Sequence, residues 1–239
     1  MPPTLIDPTR PLRGAPILVF DFETTGVVPG KRNPVQLAVA VGRLGEGVER
    51  RWDTLIRPPG PIPPEASAVH GITDDDVADA PTFAEVVDRL LADLNGRLPC
   101  AYNLPFDHAV LAESLELMGR GDDAPPLYGL DPLVWAKVVD KFERGKKLED
   151  VARRRGIRFD AHDARADVDV TAKIMGTLLR ELATGRHIMQ PGLDRVDHFW
   201  DWQRRTALEL ELEFRDYRRR NGQPDPTLTW HQGLGVRPD

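Results

Sequence analysis

Two acidic side chains lie two positions apart near the end of an apolar segment. The segment begins at Ile17, and it contains Asp21 and then Glu23. If it forms a β-strand, both carboxylates project from one face, because side chains alternate between the two faces of a strand. Neighbouring carboxylates repel each other unless a cation neutralises them, and such hard oxygen ligands suit Mg²⁺ or Mn²⁺. On its own, the pair also fits strand-end residues that accept hydrogen bonds from a turn.

Two further acids could reach the same cation, and a histidine accompanies one of them. Asp107 follows a short apolar strand and opens a predicted helix, which places it at the carboxyl end of a strand, where α/β proteins bind their ligands. His162 stands at the start of another predicted helix, and Asp167 follows about one and a half turns later. Each of these residues is a weak signal when taken alone. Together with Asp21 and Glu23, they form a candidate site of four carboxylates, which could bind a metal ion, and one histidine.

The elements that must position these residues indicate a mixed α/β sheet with helices packed on it. Hydrophobic patterning predicts strands at Ile17–Phe22, Val35–Leu44, Val48–Ile56 and Leu98–Tyr102. A capping box formed by Thr82 and Glu85 predicts a helix that begins at about Phe83. Apolar spacing predicts further helices at Pro105–Leu117, Leu148–Arg155 and Ala164–Leu182. Strands followed by alternating helices favour this fold class over a helical bundle or an all-β sandwich.

The order and spacing of these residues resemble the DEDDh exonucleases, the DnaQ-like superfamily that includes polymerase proofreading subunits, RNase T and oligoribonuclease. The matching pieces are Asp-x-Glu-Thr-Thr-Gly at residues 21–26, Asn-x-x-Phe-Asp at 103–107 and His-x-Ala-x-x-Asp at 162–167. Further likeness lies at Val69–Thr73, Ala80–Phe83, Asp131–Leu133 and Lys147–Asp150, followed by Gly156-Ile157. The resemblance covers roughly residues 15–185, and the catalytic positions show no departure from the family pattern.

This resemblance implies a ribonuclease H-like fold and a metal-dependent 3′→5′ exonuclease that releases nucleoside 5′-monophosphates. It implies that two divalent cations, Mg²⁺ or Mn²⁺, are held by Asp21, Glu23, Asp107 and Asp167, with Asp21 bridging both. His162 would be the general base, because an imidazole has an unperturbed pKa near ~6.5.

The family likeness also assigns residues to the substrate and to the frame of the site. Thr24 and Thr25 are expected to contact the terminal nucleotide, and Phe106 to lie against a base or sugar. Asn103 is expected to brace the active-site backbone. Two neighbouring acids, Asp163 and Asp169, are expected to be an N-terminal helix charge and a solvent-facing acid rather than metal ligands.

The sequence leaves the substrate open. The motifs serve DNA and RNA alike, and no residue is identified that would sense a 2′-hydroxyl group. Single-stranded DNA with a 3′ end is the favoured substrate, and a short-RNA exonuclease is the alternative. A non-catalytic, polymerase-associated binding module is the less favoured interpretation, because such a module would be expected to lose some of the acids.

Composition narrows the class of protein. The net charge of -6 argues against capture of nucleic acid by the field of the whole chain, but not against a local site. Basic residues gather at Lys141, Arg144, Lys146 and Lys147, where solvated helix faces are the simplest interpretation. No apolar run approaches the ~18–20 residues of a membrane span, so no membrane association is expected. The single cysteine, Cys100, precludes an internal disulfide and favours a reducing, cytoplasmic location.

The remaining segments are predicted to be a flexible leader at residues 1–14 and a helical extension at 186–239, which flank an exonuclease domain at 15–185. Apolar and aromatic residues spaced four and three apart predict a helix over Asp194–Arg220. This helix packs back on the catalytic domain or, alternatively, docks a replication or repair protein or a second copy. Every matched motif precedes Leu182, so a chain shortened to that point is expected still to cleave.

Overall fold

This computed structural model describes residues 3–4, 6–159, 163–184 and 194–226, and within them the central sheet has four strands. β1 (Pro16–Thr24) and β2 (Pro34–Arg43) are antiparallel, as are β2 and β3 (Gly47–Leu55). β4 (Leu98–Cys100) runs parallel to β1, so the strands lie in the order β3-β2-β1-β4. The prediction of a mixed α/β sheet is therefore confirmed.

Helices flank this sheet. In the described residues they are α1 (Pro64–His70), α2 (Asp74–Val77), α3 (Phe83–Leu94), α4 (Leu104–Leu117), α5 (Pro132–Val139), α6 (Leu148–Arg154), α7 (Ala164–Thr184) and α8 (Val196–Arg220). The helices expected at four of these places, α3, α4, α6 and α7, are confirmed within a few residues. The capping box is present as predicted, with the Thr82 backbone N–H donating to Glu85 at 2.7 Å.

Three short helices, α1, α2 and α5, were not predicted from the sequence. α1 and α5 begin at Pro64 and Pro132, and proline fits the first turn of a helix because its missing N–H would be unpaired there. α1 follows the proline-rich run Arg57–Pro64, where hydrophobic periodicity gives no helical signal. Helices of seven, four and eight residues show the 3.6-residue period only weakly, and α6, which is equally short, was predicted because Gly156 marks its end.

The long helix α7 lies across the sheet and connects it to the candidate site. It packs on β1, β2 and α5, and Val168, Ile174 and Leu178 are buried in the main hydrophobic core. Ion pairs tie its first turns to the edge strand β3: Arg165 contacts Asp53, and Asp169 contacts Arg51. This packing fixes the first turn of α7 beside the end of β1.

Among the described residues, no helix combines the length and apolarity that crossing a bilayer requires.

The C-terminal helix α8 begins at Val196, two residues after the predicted start, and ends at Arg220 as predicted. Its first half packs back on the domain: Val196, Phe199, Trp200, Gln203 and Ala207 are buried. Its second half is open, with Phe214 50% and Tyr217 53% exposed. Back-packing therefore accounts for half of the apolar stripe, and docking of a partner through the rest of 194–220 stays a prediction.

Residues 6–14 lie against the start of α8. The backbone N–H of Leu12 donates to the Asp194 carbonyl at 2.6 Å, and the Val196 N–H donates to the Arg10 carbonyl at 3.1 Å. Ile6 and Leu12 are buried in the main core. This part of the predicted leader therefore packs against the C-terminal extension, and the division of the chain into three segments stays a prediction.

Candidate active site

Three carboxylates converge near the carboxyl end of β1. Asp21, Glu23 and Asp167 each offer an oxygen within 4.8 Å of the others. Strand alternation places Asp21 and Glu23 on one face, as the sequence predicted, and the packing of α7 on β1 brings Asp167 to them. Three carboxylate oxygens so close together form a donor set of the kind that binds a hard divalent cation.

Asp107 lies buried beside this cluster but has a different local role. Its Oδ1 accepts a hydrogen bond from the Phe22 backbone N–H at 3.0 Å. β4 pairs with β1 only along Ile17–Val19, so Phe22 lies beyond the last residue that β4 can bond. The Asp107 carboxylate takes the place of a strand carbonyl there. This bond ties the fourth acid to the strand that carries the first two.

The acids of the site hold their protons unusually strongly when no cation is present. Burial, followed by the negative charges of Asp107 and Asp167, raises the pKa of Asp21 well above its usual value. Burial, followed by the charges of Asp167 and Asp163, raises the pKa of Glu23 to about 7. Burial raises the pKa of Asp107 as well, although the Phe22 N–H opposes this shift. Crowded, partly desolvated acids of this kind fit a site that a cation neutralises.

These shifts predict that the metal-free protein loses stability as the pH rises. Glu23 has an ordinary pKa of 4.5 when unfolded and about 7 when folded, so the folded state binds more protons between these values. Its contribution to the free energy of unfolding is therefore present below pH 4.5 and is lost as the pH passes 7. Thermal melting in a chelator from pH 4.5 to 8 should show this decline, and Glu23→Gln should flatten it. A melting temperature that rises across this range in both proteins would contradict the assignment.

The turn before α4 directs Asp107 into the site. Asn103 has a φ of 74°, the one positive φ of a non-glycine residue in the described parts of the chain. Its backbone N–H donates to Asp131 Oδ1 at 3.0 Å, and the same oxygen accepts from the Leu133 N–H at 2.9 Å. Asp131 is 1% exposed, and burial raises its pKa to about 6. One buried carboxylate thus holds both the Asn103 turn and the start of α5.

A residue of α8 supports this arrangement in turn, and its contacts could not be foreseen from its place in the predicted helix. The side-chain oxygen of Gln203 accepts from the Asp131 backbone N–H at 2.9 Å and from Trp135 Nε1 at 2.8 Å. Its amide nitrogen donates to the Gly129 carbonyl at 3.0 Å. Gln203 is fully buried. The C-terminal extension therefore contacts the start of α5 and the turn before it, where Asp131 holds the Asn103 turn.

The start of α7 is held by another residue that sequence reasoning missed. Gln36 of β2 accepts from the Ala164 backbone N–H at 3.3 Å and donates to Asp163 Oδ1 at 3.2 Å. Asp163 also accepts from the Arg165 N–H, as expected for an acid at a helix N-terminus. His162, the predicted general base, lies outside the described residues, so its role stays a prediction.

Two clefts meet at Phe106, beside the acids. The first, here the threonine cleft, has a volume of about 610 Å³ and is lined by Glu23, Thr24, Thr25, Val69, His70 and Phe106. The second, here the lysine cleft, has a volume of about 730 Å³ and is lined by Asn103, Phe106, Lys137, Lys146, Lys147 and Asp167. The predicted substrate residues are therefore gathered around the acids.

The hydroxyl groups of both threonines shape the wall of the threonine cleft. Thr24 Oγ1 donates to the Gly26 carbonyl at 2.7 Å, and Thr25 Oγ1 donates to the Lys31 carbonyl at 3.0 Å. The guanidinium of Arg32 lies 5.5 Å from the centre of the Phe106 ring and is fixed by Glu113 through paired hydrogen bonds. Sequence reasoning missed Arg32, because its partner is 81 residues away.

A mixed sheet in which β1 ends in an acidic cluster, with α7 laid across it, is the architecture expected of a ribonuclease H-like fold. Residues 18–175 match the RNase_T family model, which is described as exonuclease. The chain belongs to this exonuclease family, and the resemblance to DnaQ-like exonucleases drawn from its motifs is confirmed.

Relatives and solved structures agree with this assignment. The chain is 37% identical over 179 residues to a DNA polymerase III subunit epsilon-like protein of Rhodobacter capsulatus, covering 72% of this chain and 25% of that protein. It is 29% identical to the 3′-5′ exonuclease DinG of Bacillus subtilis, covering 75% of this chain and 19% of that protein. E. coli exonuclease I in complex with a dA16 oligonucleotide shares the fold, with 21% identity, a TM-score of 0.59 and coverage of 72% and 42%. The chain spans about a quarter of the first relative.

Proposed function

We propose that the chain removes nucleotides from the 3′ end of single-stranded DNA and releases nucleoside 5′-monophosphates. The observation that carries this proposal is the convergence of Asp21, Glu23 and Asp167 beside Asp107, at the junction of two clefts. The direction is supported by the name of the Bacillus relative, and the DNA substrate by the oligonucleotide bound to the exonuclease with the same fold.

Two divalent cations, Mg²⁺ or Mn²⁺, would be held by Asp21, Glu23, Asp107 and Asp167, with Asp21 shared between them. When bound, such cations polarise the phosphoryl group, orient an attacking water and stabilise the leaving oxygen. The protein holds these acids in a partly buried setting. The raised pKa values of Asp21 and Glu23 show that their negative charges are unfavourable there unless positive charge is nearby. The bond from Phe22 to Asp107 and the packing of α7 keep these carboxylates in place.

His162 would accept the proton of the attacking water. It is adjacent in sequence to Asp163, which Gln36 holds at the start of α7. A general base must come within hydrogen-bond distance of the group whose proton it accepts. The bond from Gln36 holds Asp163, the next residue along the chain, at the start of α7.

The terminal nucleotide would occupy the threonine cleft, with its scissile phosphate at the acids. Thr24 and Thr25 would contact it from the wall of the cleft, where hydrogen bonds of Thr24 to Gly26 and of Thr25 to Lys31 and Asn33 hold them in place. Phe106, with Arg32 against its ring, stands between the two clefts and would lie against the terminal sugar or base. Asn103 would act through its backbone turn.

A strand labelled at its 5′ end tests both the direction and the substrate. With Mg²⁺ or Mn²⁺, the full chain should shorten labelled single-stranded DNA stepwise, giving a ladder of labelled products, and should act on DNA faster than on short RNA. Release of the labelled nucleotide in the first step would show the opposite direction. Faster cleavage of RNA would establish the short-RNA alternative, and a mismatched duplex measures the preference for single strands. Reactions with a chelator control for the metal.

A further inference from the structure

The connection between α5 and α6 is a basic loop that carries an exposed aromatic ring. Residues 140–147, here the basic loop, include Phe142, which is 93% exposed. The loop contains four basic and two acidic side chains, whereas the whole chain has a net charge of -6. One of those acids, Asp140, is already paired with Arg154 and Arg155. The loop therefore reverses the sign of the chain's charge at one place on its surface.

The backbone of this loop is tied to neighbouring elements. Arg154 donates to the carbonyls of Arg144 and Gly145, both at 3.0 Å. The hydroxyl of Tyr102, which directly precedes Asn103, donates to the Lys146 carbonyl. The chain segment that turns into α4 at the active site is therefore bonded to the basic loop. With its backbone held in this way, the loop presents Phe142 to solvent.

The lysine cleft joins this loop to the acids. Its apolar surface includes Phe106, Leu133 and Leu148, and its three basic side chains, Lys137, Lys146 and Lys147, lie with one acid of the same stretch, Glu149. Asp167 also lines the cleft, which therefore extends from the metal-binding acids to the basic loop. Its volume of about 730 Å³ is within the range of ~300–1,000 Å³ that ligand pockets occupy.

We propose that the basic loop and the lysine cleft bind the substrate strand on the 5′ side of the nucleotide that is removed. Phe142 stacks on a base, the three lysines contact phosphates, and the apolar surface accommodates bases and sugars. This inference rests on the proposed function, because it places the strand that leads to the threonine cleft.

The chemistry of the two ligand groups supports this occupant. A single strand offers a repeating negative charge beside flat apolar rings, which matches lysines next to an apolar surface and an exposed ring. A strand that approaches four carboxylates on an acidic protein is repelled unless nearby cations offset the charge. Stacking on an aromatic ring tolerates any base, as an enzyme that removes successive nucleotides requires.

Binding and cleavage are measured separately with a dye-labelled oligothymidylate of about twelve residues. Phe142→Ala should weaken binding in a chelator roughly tenfold or more, the usual effect of losing one stacked base, and Phe142→Trp should restore it. Phe142→Ala should also lower, by a similar factor, the ratio of kcat/KM for the long strand to kcat/KM for a dinucleotide. The double variant Lys146→Ala/Lys147→Ala should reduce the slope of log Kd against log salt by about 1.4, because each phosphate contact on a single strand contributes about 0.7.

Matched controls and the separate readouts distinguish the outcomes. Phe214→Ala removes a partly exposed ring of α8, and Lys173→Ala removes a lysine from a different cleft, so both should bind like the unchanged protein. If the unchanged protein cleaves DNA but Phe142→Ala alters neither affinity nor the preference for long strands, the inference is wrong. If no cleavage occurs but binding still depends on Phe142 and the lysines, the proposed function fails and the strand-binding surface stands.

Discussion

Replacing Asp21 with asparagine should remove hydrolysis almost completely while the chain remains folded. Asp21 has an oxygen within 4.8 Å of both Glu23 and Asp167, and it is the acid proposed to be shared by two cations. Asparagine has nearly the same shape but no charge, so it would leave the cations without their common ligand. Two-metal sites supply several kcal/mol of transition-state stabilisation, so we expect kcat to fall at least ~100-fold.

Stability should respond in the opposite direction. Burial and the charges of nearby acids raise the pKa of Asp21, so its ionised form is unfavourable in the folded, metal-free protein. Removing that charge should leave the melting temperature above pH 7 unchanged or higher when a chelator is present. Asp169→Asn is the matched control, because Asp169 pairs with Arg51 and is not part of the cluster, and it should retain most activity. Asp21→Asn protein that kept more than about a hundredth of the activity would disprove the two-metal assignment.

The sequence was informative about the site where a local rule decides the structure. Alternation along one strand was enough to place Asp21 and Glu23 together, and the Thr82–Glu85 capping box marked the start of α3. The family motifs predicted that Asp107 and Asp167 belong to the same site. Only three of the four acids have oxygens within 4.8 Å of one another. The fourth, Asp107, bonds to β1 where β4 no longer pairs with it, and this position could not be predicted from the motif. Strand length at that edge is a property of the packed sheet.

The supports of the site could not be inferred in this way. Gln36 bonds to Asp163, 127 residues away, and Gln203 bonds to Asp131, 72 residues away. Such contacts arise only after helices and strands have packed, and neither glutamine lies in a motif. The pattern around Gln203 indicated an amphipathic helix correctly, but it could not show which turns that helix covers. Motifs thus identify the groups that would bind metal and leave unidentified the residues that hold them.

A chain that ends at Thr184 should be unstable and inactive, contrary to the expectation from motif positions alone. Phe199 packs edge-on against Trp135 with ring centres 5.2 Å apart, and Trp200 lies 5.0 Å from Tyr128. Burial of such a ring contributes about 3–5 kcal/mol, so losing two rings removes an amount comparable with the ~5–15 kcal/mol by which domains are stable. The loss of Gln203 would also release the backbone N–H of Asp131. The Asp131 side chain holds the Asn103 turn, which leads to Asp107.

Circular dichroism melting and the exonuclease assay should be applied to three chains in parallel. A chain that ends at Leu212 keeps every buried residue of α8 and removes the last eight residues of the helix together with the residues that follow it, so it should melt and cleave like the full protein. The point variant Gln203→Leu keeps the helix but leaves buried donors and an acceptor unpaired, each at a cost of about 1–3 kcal/mol, so it should be folded but less stable. If the chain ending at Thr184 melts and cleaves like the full protein, α8 is a dispensable appendage and the contacts of Gln203 have no part in holding the site. If it loses both properties while the chain ending at Leu212 keeps them, the first half of α8 belongs to the catalytic domain, because its packing maintains the turn that directs Asp107 towards the other acids.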